Sequence, residues 1–412
     1  MNDSYDCRFC AAPLRHSLVD LGISPLANSF LKRDQLVQME PFYPLQAYVC
    51  ESCFLVQMPV FEPPELLFRD YAYFSSYSDS WLEHAKSYMR MMVERFRIGP
   101  DWMVIEIGSN DGYLLRFFRE EGIPVMGIEP AENVARAAQG FGIPTINNFF
   151  NMKLALKIAT ESKRADLLIG NNVLAHVPDL NDFVAGMKVM LNPRGIVTME
   201  FPHLLRLLEE KQFDTIYHEH FSYFSFLTAQ NVFARNGLTI FDVEELPTHG
   251  GSLRIYACHS QDQFKSDGKN VSNLMIKEKE AGLADLSRYL SFSEMVKETK
   301  RNILEFMIGE KKRGRSIAGY GAPAKGNTLL NYCGIRTDFI DYTVDRNPHK
   351  QGLFLPGSRI PIFPPEKIKE TRPDDLLILP WNLKEEIMDQ LRYLREWKGR
   401  FVVLIPEIKV YP

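Results

Sequence analysis

The sequence predicts an α/β protein in which a doubly wound parallel sheet lies between a small metal-held domain and a second α/β unit. Three observations predict it. Between Val104 and Pro202, runs of β-branched and other apolar residues alternate with segments of helical periodicity, as they do where crossover helices join parallel strands. Polar residues stand repeatedly at the ends of those runs, at Glu106, Glu129, Asn147, Asn171 and Glu200, which is where open α/β sheets bind ligands. Two Cys-x-x-Cys pairs precede this alternation, and a further strand–glycine–helix pattern follows it from Ser316 to Gly326. At 412 residues the chain exceeds one ordinary core, and the shifts in pattern place domains at 1–80, 81–272 and 273–412.

Composition narrows the class. Hydrophobic content of 45% and charged content of 24% fit a soluble globular chain. A net charge of −4 offers no general attraction for nucleic acid. No apolar run is long enough to span a bilayer, so neither nucleic acid nor membrane is an expected partner. Met1 to Asp6 has neither the basic start nor the apolar stretch of a signal peptide. Six cysteines in a chain this long are no disulfide framework, and the expected compartment is the cytoplasm.

At the head of the chain, Cys7, Cys10, Cys50 and Cys53 form two knuckles. One knuckle alone is compatible with a redox pair. Two supply the four thiolates of a closed, structural zinc site with no position left for water. From Leu18 to Val49 there is no long apolar period and there are several prolines, so this segment is expected to need the metal to hold its shape. The stretch Arg69–Ser78 is dense in phenols and hydroxyls, among them Tyr71, Tyr73 and Ser75. It reads as a linker, or as a loop presenting those groups to a polar ligand. A helix follows from about Trp81 to Phe96.

The central domain opens with the strand Val104–Ile107, a turn bounded by Gly108 and Gly112 with Asn110 inside it, and apolar residues at helical spacing. Gly108 lets the backbone turn where a Cβ would resist, and Gly112 is expected to let the helix start close against a ligand. Glu-x-Gly-x-x-x-Gly is not the Gly-x-Gly-x-x-Gly dinucleotide fingerprint, and any doubly wound sheet can contain such a turn. The next strands end at Glu129, placed to accept from a ribose diol, and at Asn147, placed to meet an adenine edge. The fourth strand leads into Asn171–Asp179, which contains His176, and the fifth is Gly195–Pro202. Together these strand ends assemble one crevice.

Tyr217–Ser225 packs His218, His220, Glu219, Tyr217 and Tyr223 between element patterns. His-x-His hints at metal but lacks a third ligand at a familiar spacing. A buried structural pair is the plain alternative, and acid–base work is the other. His249–Ala257 looks like a glycine turn entering a last strand. Leu274–Lys312 reads as an amphipathic helical connector. Gly319-x-Gly321-x-x-Ala324, with Asp345 about 20 residues on, fits a dinucleotide fingerprint, which taken alone predicts an NAD-binding domain. Strands at Leu376–Leu379 and Phe401–Leu404 complete that sheet.

Several of these stretches together resemble one family, the S-adenosylmethionine (SAM)-dependent sugar C-methyltransferases acting on nucleotide-linked 4-keto-deoxysugars. The resemblance runs in order through the paired cysteine knuckles enclosing Leu21–Asn28, then Tyr73–Ser76, Glu106–Gly112, Asn172–Pro178, Tyr217–His220, His249–Ser252 and Gly319–Gly326, with no departure at these positions. It implies a class I methyltransferase sheet flanked by a zinc-binding N-terminal domain and a Rossmann-like C-terminal domain that helps hold the sugar nucleotide. It implies SAM at Glu106, Gly108, Asn110, Gly112, Glu129, Asn147 and Asn171, with the acidic residue of the glycine turn meeting the methionine amine. By the same resemblance His220 is the base, Tyr217 and Glu219 position it or the substrate, and His176 is a secondary candidate. Tyr71, Tyr73, Ser75, Tyr223 and Lys325 are the implied substrate contacts. SAM and structural zinc are the only cofactors expected. Two other readings compete: an NAD-dependent oxidoreductase or epimerase of sugar nucleotides, and a zinc-ribbon RNA-binding protein.

Overall fold

The apolar runs become three sheets. The computed structural model describes residues 5–67, 75–77, 79–161, 163–262 and 268–412. In the first sheet, β1 (His16–Ser24), β2 (Tyr43–Val49) and β3 (Val56–Gln57) pair antiparallel in sequence order. The fourth place is taken by Ser222–Tyr223 from far along the chain. Leu18–Val49, where the sequence shows no long apolar period, thus carries most of two strands. Register shifts between Ser17 and Val19 and between Asp20 and Ile23 break the two-residue alternation of β1, which hides a strand from any periodicity test.

The second sheet contains β4 (Val104–Ile107), β5 (Val125–Ile128), β6 (Thr145–Ile146), β7 (Ala165–Asn171) and β8 (Leu191–Pro202). With Ser222–Tyr223 counted as β9, it adds β10 (Leu238–Leu246) and β11 (Ser252–His259), in the order β10-β11-β8-β7-β4-β5-β6. β4 to β8 run parallel, and β10 and β11 close the far edge antiparallel. The order reverses between β4 and β7, so the crevice expected in a doubly wound sheet opens at their C-terminal ends. β4 and β5 are buried on both faces, the physical reason their sequences are continuously apolar.

The third sheet holds β12 (Ile317–Tyr320), β13 (Thr343–Val344), β14 (Ile362–Phe363), β15 (Asp375–Ile378), β16 (Arg400–Val403) and β17 (Lys409–Tyr411), in the order β14-β13-β12-β15-β16-β17. The connector between the second and third sheets is three helices, Lys269–Glu280, Leu286–Leu290 and Phe292–Lys312. The first break follows Gly282, at φ +85°, and Asp285 caps the next helix by accepting from Ser287 N–H at 2.9 Å. Phe292, Val296, Ile303 and Met307 of the long helix share one apolar core with Leu18 and Leu45 of the first sheet and Ile317 and Leu377 of the third. Among the described residues, no helix is long and apolar enough to cross a membrane.

Candidate active site

The metal centre assembles first. The Sγ atoms of Cys7, Cys10, Cys50 and Cys53 all lie within 4.8 Å of one another. Pairwise separations of 3.6 Å (Cys7–Cys53) and 3.5 Å (Cys10–Cys50) are far too long for disulfides. Each knuckle closes by the same turn: Ala11 N–H donates to Cys7 O at 2.8 Å, Phe54 N–H to Cys50 O at 2.9 Å, and both residues have left-handed backbones. Four converging thiols, with no fifth ligand in the cluster among the described residues, fit tetrahedral zinc and leave it structural.

The crevice at β4 and β5 is built by the glycine turn. Gly108 has φ +66°, and a Cβ there would stand 2.5 Å from Val173 Cγ2. Asn110, also left-handed, donates its backbone N–H to Glu129 Oε2 at 2.9 Å, and Ala131 N–H donates to Glu129 Oε1 at 2.9 Å. Burial pushes the Glu129 carboxyl up to about 7 against those two bonds. Glu106 is fully buried; the Tyr113 side chain is near enough to favour its charged form, but neither carboxylate oxygen has a well-formed hydrogen bond among the described residues. Burial holds it well above the ordinary carboxylate range. A buried carboxylate so incompletely satisfied fits a cationic ligand group such as the SAM amine.

Two of the expected contacts gain detail here. At Gly112 (φ +78°) a Cβ would meet Ile143 Cγ1 at 2.9 Å, so the packing of the turn itself requires this glycine. The Asn147 amide donates to Glu129 O at 2.8 Å and to Pro130 O at 2.9 Å. Its hydrogens are committed to the end of β5, and only its oxygen is left for an adenine edge. Asn171 ends β7 in register with Glu200. Ser75 is buried and tied to the same turn through its backbone N–H, which donates to Asn110 Oδ1 at 2.8 Å. Tyr71 and Tyr73 lie outside the described residues.

The two candidate bases face each other. The structure places the Nδ1 of His220 2.9 Å from Thr215 O and the Nδ1 of His176 2.7 Å from Glu219 O. A carbonyl only accepts, so each Nδ1 carries the proton and each Nε2 keeps its lone pair. Their ring centroids are 4.8 Å apart, and the Tyr217 ring lies 4.0 Å from that of His220. Burial, with His176 adding to it, pushes His220 well below the usual imidazole range, and burial takes His176 to about 4. Both are neutral at working pH. His218 instead donates its Nε2–H to Pro44 O at 3.1 Å and packs against Tyr43 and Phe61, a structural histidine of the first sheet. Glu219 Oε1 accepts from Asn28 Nδ2 at 2.7 Å, and burial raises its carboxyl to about 7. The Tyr223 hydroxyl is buried, with the Tyr217 backbone beside it.

Lys325 reaches this site from the third sheet. Its Nζ donates to Asn382 Oδ1 at 2.8 Å and stands 4.5 Å over the Trp381 ring. Burial lowers its pKa while Asp214 opposes the shift. Its charge in turn helps hold His220 and His249 neutral.

Sequence reasoning missed a second polar cluster. Glu200, buried at the end of β8, accepts from Arg254 Nη2 (3.0 Å) and Thr248 Oγ1 (3.0 Å) and pairs with His84 Nε2 (3.0 Å). Although burial opposes its charge, His84 and Arg254 keep its carboxyl below the ordinary range. His249, with a left-handed backbone, meets Asn172 Nδ2 at 3.1 Å and the Trp81 ring at 5.1 Å. In the sequence, Glu200 stands at a strand end and His249 opens a glycine turn, but nothing there joins them to His84 and Arg254.

Comparison with known proteins bears on the whole chain. C-methyltransferase NovU from Streptomyces niveus is 36% identical over 405 residues, covering 98% of this chain and 96% of that relative. The chain belongs to the C-methyltransferase family. Residues 7–68 match the family described as "Putative zinc binding domain", 81–243 the "Methyltransferase domain" and 247–406 the "C-methyltransferase C-terminal domain". Among solved structures, the magnesium protoporphyrin IX methyltransferase of Synechocystis PCC 6803 with bound SAM is 14% identical, with a TM-score of 0.34 over 43% of this chain and 79% of that one. The PH0226 protein of Pyrococcus horikoshii OT3 is 15% identical, with a TM-score of 0.38 over 46% of this chain and 95% of that one. Both likenesses are too weak to add to the assignment. This C-methyltransferase is a SAM-dependent enzyme with structural zinc. Membership of this family displaces the oxidoreductase reading, and on the third sheet Asp345 Oδ2 accepts from Ala322 N–H at 2.7 Å, bracing its own glycine turn.

Proposed function

We propose that this enzyme methylates C3 of a nucleotide-linked 4-keto-6-deoxysugar through an enolate, with 1–80 as zinc domain, 81–272 as methyltransferase domain and 273–412 as the domain that helps hold the nucleotide. The observation that carries the reading is the facing pair of neutral imidazoles whose Nδ1 atoms are both committed to carbonyls. A saturated carbon is no nucleophile until a base removes its proton, and a neutral Nε2 is suited to that work. SAM, when bound, supplies a methyl on a good leaving group that needs no acid assistance.

His220 takes the C3 proton at Nε2. Its low proton affinity in the ligand-free site comes first from lost solvent. The oxyanion growing at C4 restores a counter-charge, so the imidazolium becomes favourable as the proton moves. Lys325, Tyr217 and Tyr223 supply the nearby donors for that oxyanion. Glu106 and Glu129 would hold the SAM amine and ribose, and Glu219 and His176 orient the base. Incubation with SAM and a panel of nucleotide-linked 4-keto-6-deoxysugars should add one methyl by mass. His220→Asn should retain SAM binding, lose about 10²–10⁴-fold in turnover and stop exchange of the C3 proton with deuterated solvent. A folded His220→Asn enzyme with parental turnover would move the base to Glu219 or His176.

A further inference from the structure

Arg8, between two zinc ligands, is oddly placed. Its guanidinium is enclosed, with Nε buried, yet no carboxylate pairs with it among the described residues. An uncompensated buried cation is expensive. The nearest compensation is the zinc centre itself, because four thiolates on one divalent ion leave net negative charge. Gln57 joins the two: its Nε2 donates to Cys7 Sγ at 3.1 Å while its Oε1 accepts from Arg8 N–H at 2.9 Å. From there Arg8 reaches away from the metal. Nη1 donates to Pro178 O at 3.2 Å, Nη2 donates to Met58 O, and the guanidinium lies 5.6 Å over the Phe221 ring. Pro178 closes the loop carrying His176, and Phe221 follows His220. The two loops are themselves tied, since Phe221 N–H donates to Ala175 O at 2.7 Å and Met58 N–H to Phe221 O at 3.0 Å.

We propose that Arg8 is a positioning residue that couples the zinc centre to both histidine loops, so that the metal sets the geometry of the base. This rests on the reading of His220 given above. The zinc therefore contributes to turnover without touching substrate, through the chain Cys7–Gln57–Arg8 and the carbonyls and ring that Arg8 holds.

The test uses full-length, zinc-loaded enzyme carrying Arg8→Gln, Arg8→Lys or Gln57→Met. Zinc content, SAM affinity, amide exchange of 173–178 and 217–223, and kcat and KM with a nucleotide-linked 4-keto-6-deoxysugar are measured. Arg8→Gln should keep its zinc and its SAM affinity, exchange faster in both loops, and lose about 10- to 100-fold in kcat. Arg8→Lys, which keeps the charge but not the forked donors, should recover part of the loop protection. Gln57→Met should show the same pattern more weakly, and it decides the matter if Arg8→Gln does not fold. Zinc-loaded Arg8→Gln or Gln57→Met with parental loop protection overturns the proposal. So does unchanged kcat when His220→Asn is inactive. If His220→Asn is itself fully active, the base assignment fails and this proposal fails with it.

Discussion

Glu219→Gln should make the SAM-free enzyme more stable at alkaline pH, and the size follows from burial. The Glu219 side chain is enclosed, and its carboxyl is raised from 4.5 to about 7. A folded-state pKa above the unfolded one means the folded protein binds the proton more tightly, so stability is lost as pH rises from about 4.5 to about 7. With 1.36 kcal/mol per pKa unit, the full penalty is about 3 kcal/mol at pH 8 and about 1 kcal/mol at pH 5. Glutamine keeps the oxygen that accepts from Asn28 Nδ2 at 2.7 Å and carries no charge to desolvate. The stability difference between variant and parent should therefore widen by about 2 kcal/mol between pH 5 and pH 8. Urea titrations of the first unfolding transition at both pH values measure it directly. Parallel pH dependences for variant and parent would show that Glu219 is ionised in the folded state, and that solvent or an unrecognised cation reaches it.

Chelating the zinc should unfold the first sheet and lower turnover before SAM binding is lost, because the cysteine knuckles share a core with the methyltransferase strands; metal analysis finding far less than one zinc per chain, with the four cysteines in disulfides, would refute a zinc site. Gly108→Ala places a Cβ 2.5 Å from Val173 Cγ2 in a left-handed backbone, and should cost about 2–5 kcal/mol of stability from strain and overpacking. Thermal melts should show this, with a matching loss of SAM affinity by calorimetry. Glu129→Ala should weaken SAM binding by about 1.5–3 kcal/mol, the worth of charge-assisted bonds, and should also loosen the turn that Asn110 N–H anchors to Glu129 at 2.9 Å. Unchanged affinity in that variant would place the ribose elsewhere.

The parallel sheet, the zinc knuckles and the crevice at the strand ends were legible in the sequence because each rests on local chemistry. Strands buried on both faces must be continuously apolar, paired Cys-x-x-Cys spacing presets a tetrahedral ligand set, and ligand groups stand where such strands end. What tertiary structure alone decided concerns groups brought together from distant positions. No local pattern says that Glu200 meets both His84 and Arg254, that Lys325 crosses from the third sheet to stand near His220, or that Arg8 braces Pro178 and Phe221. Nor does local pattern assign spare hydrogen-bonding capacity. Asn147 has the right side chain at a strand end, yet its amide hydrogens go to the backbone, while the buried Glu106 carboxylate has Tyr113 beside it but no well-formed hydrogen bond among the described residues. Residue type sets what a group can do, but burial and the partners supplied by remote segments determine which of those capacities remain.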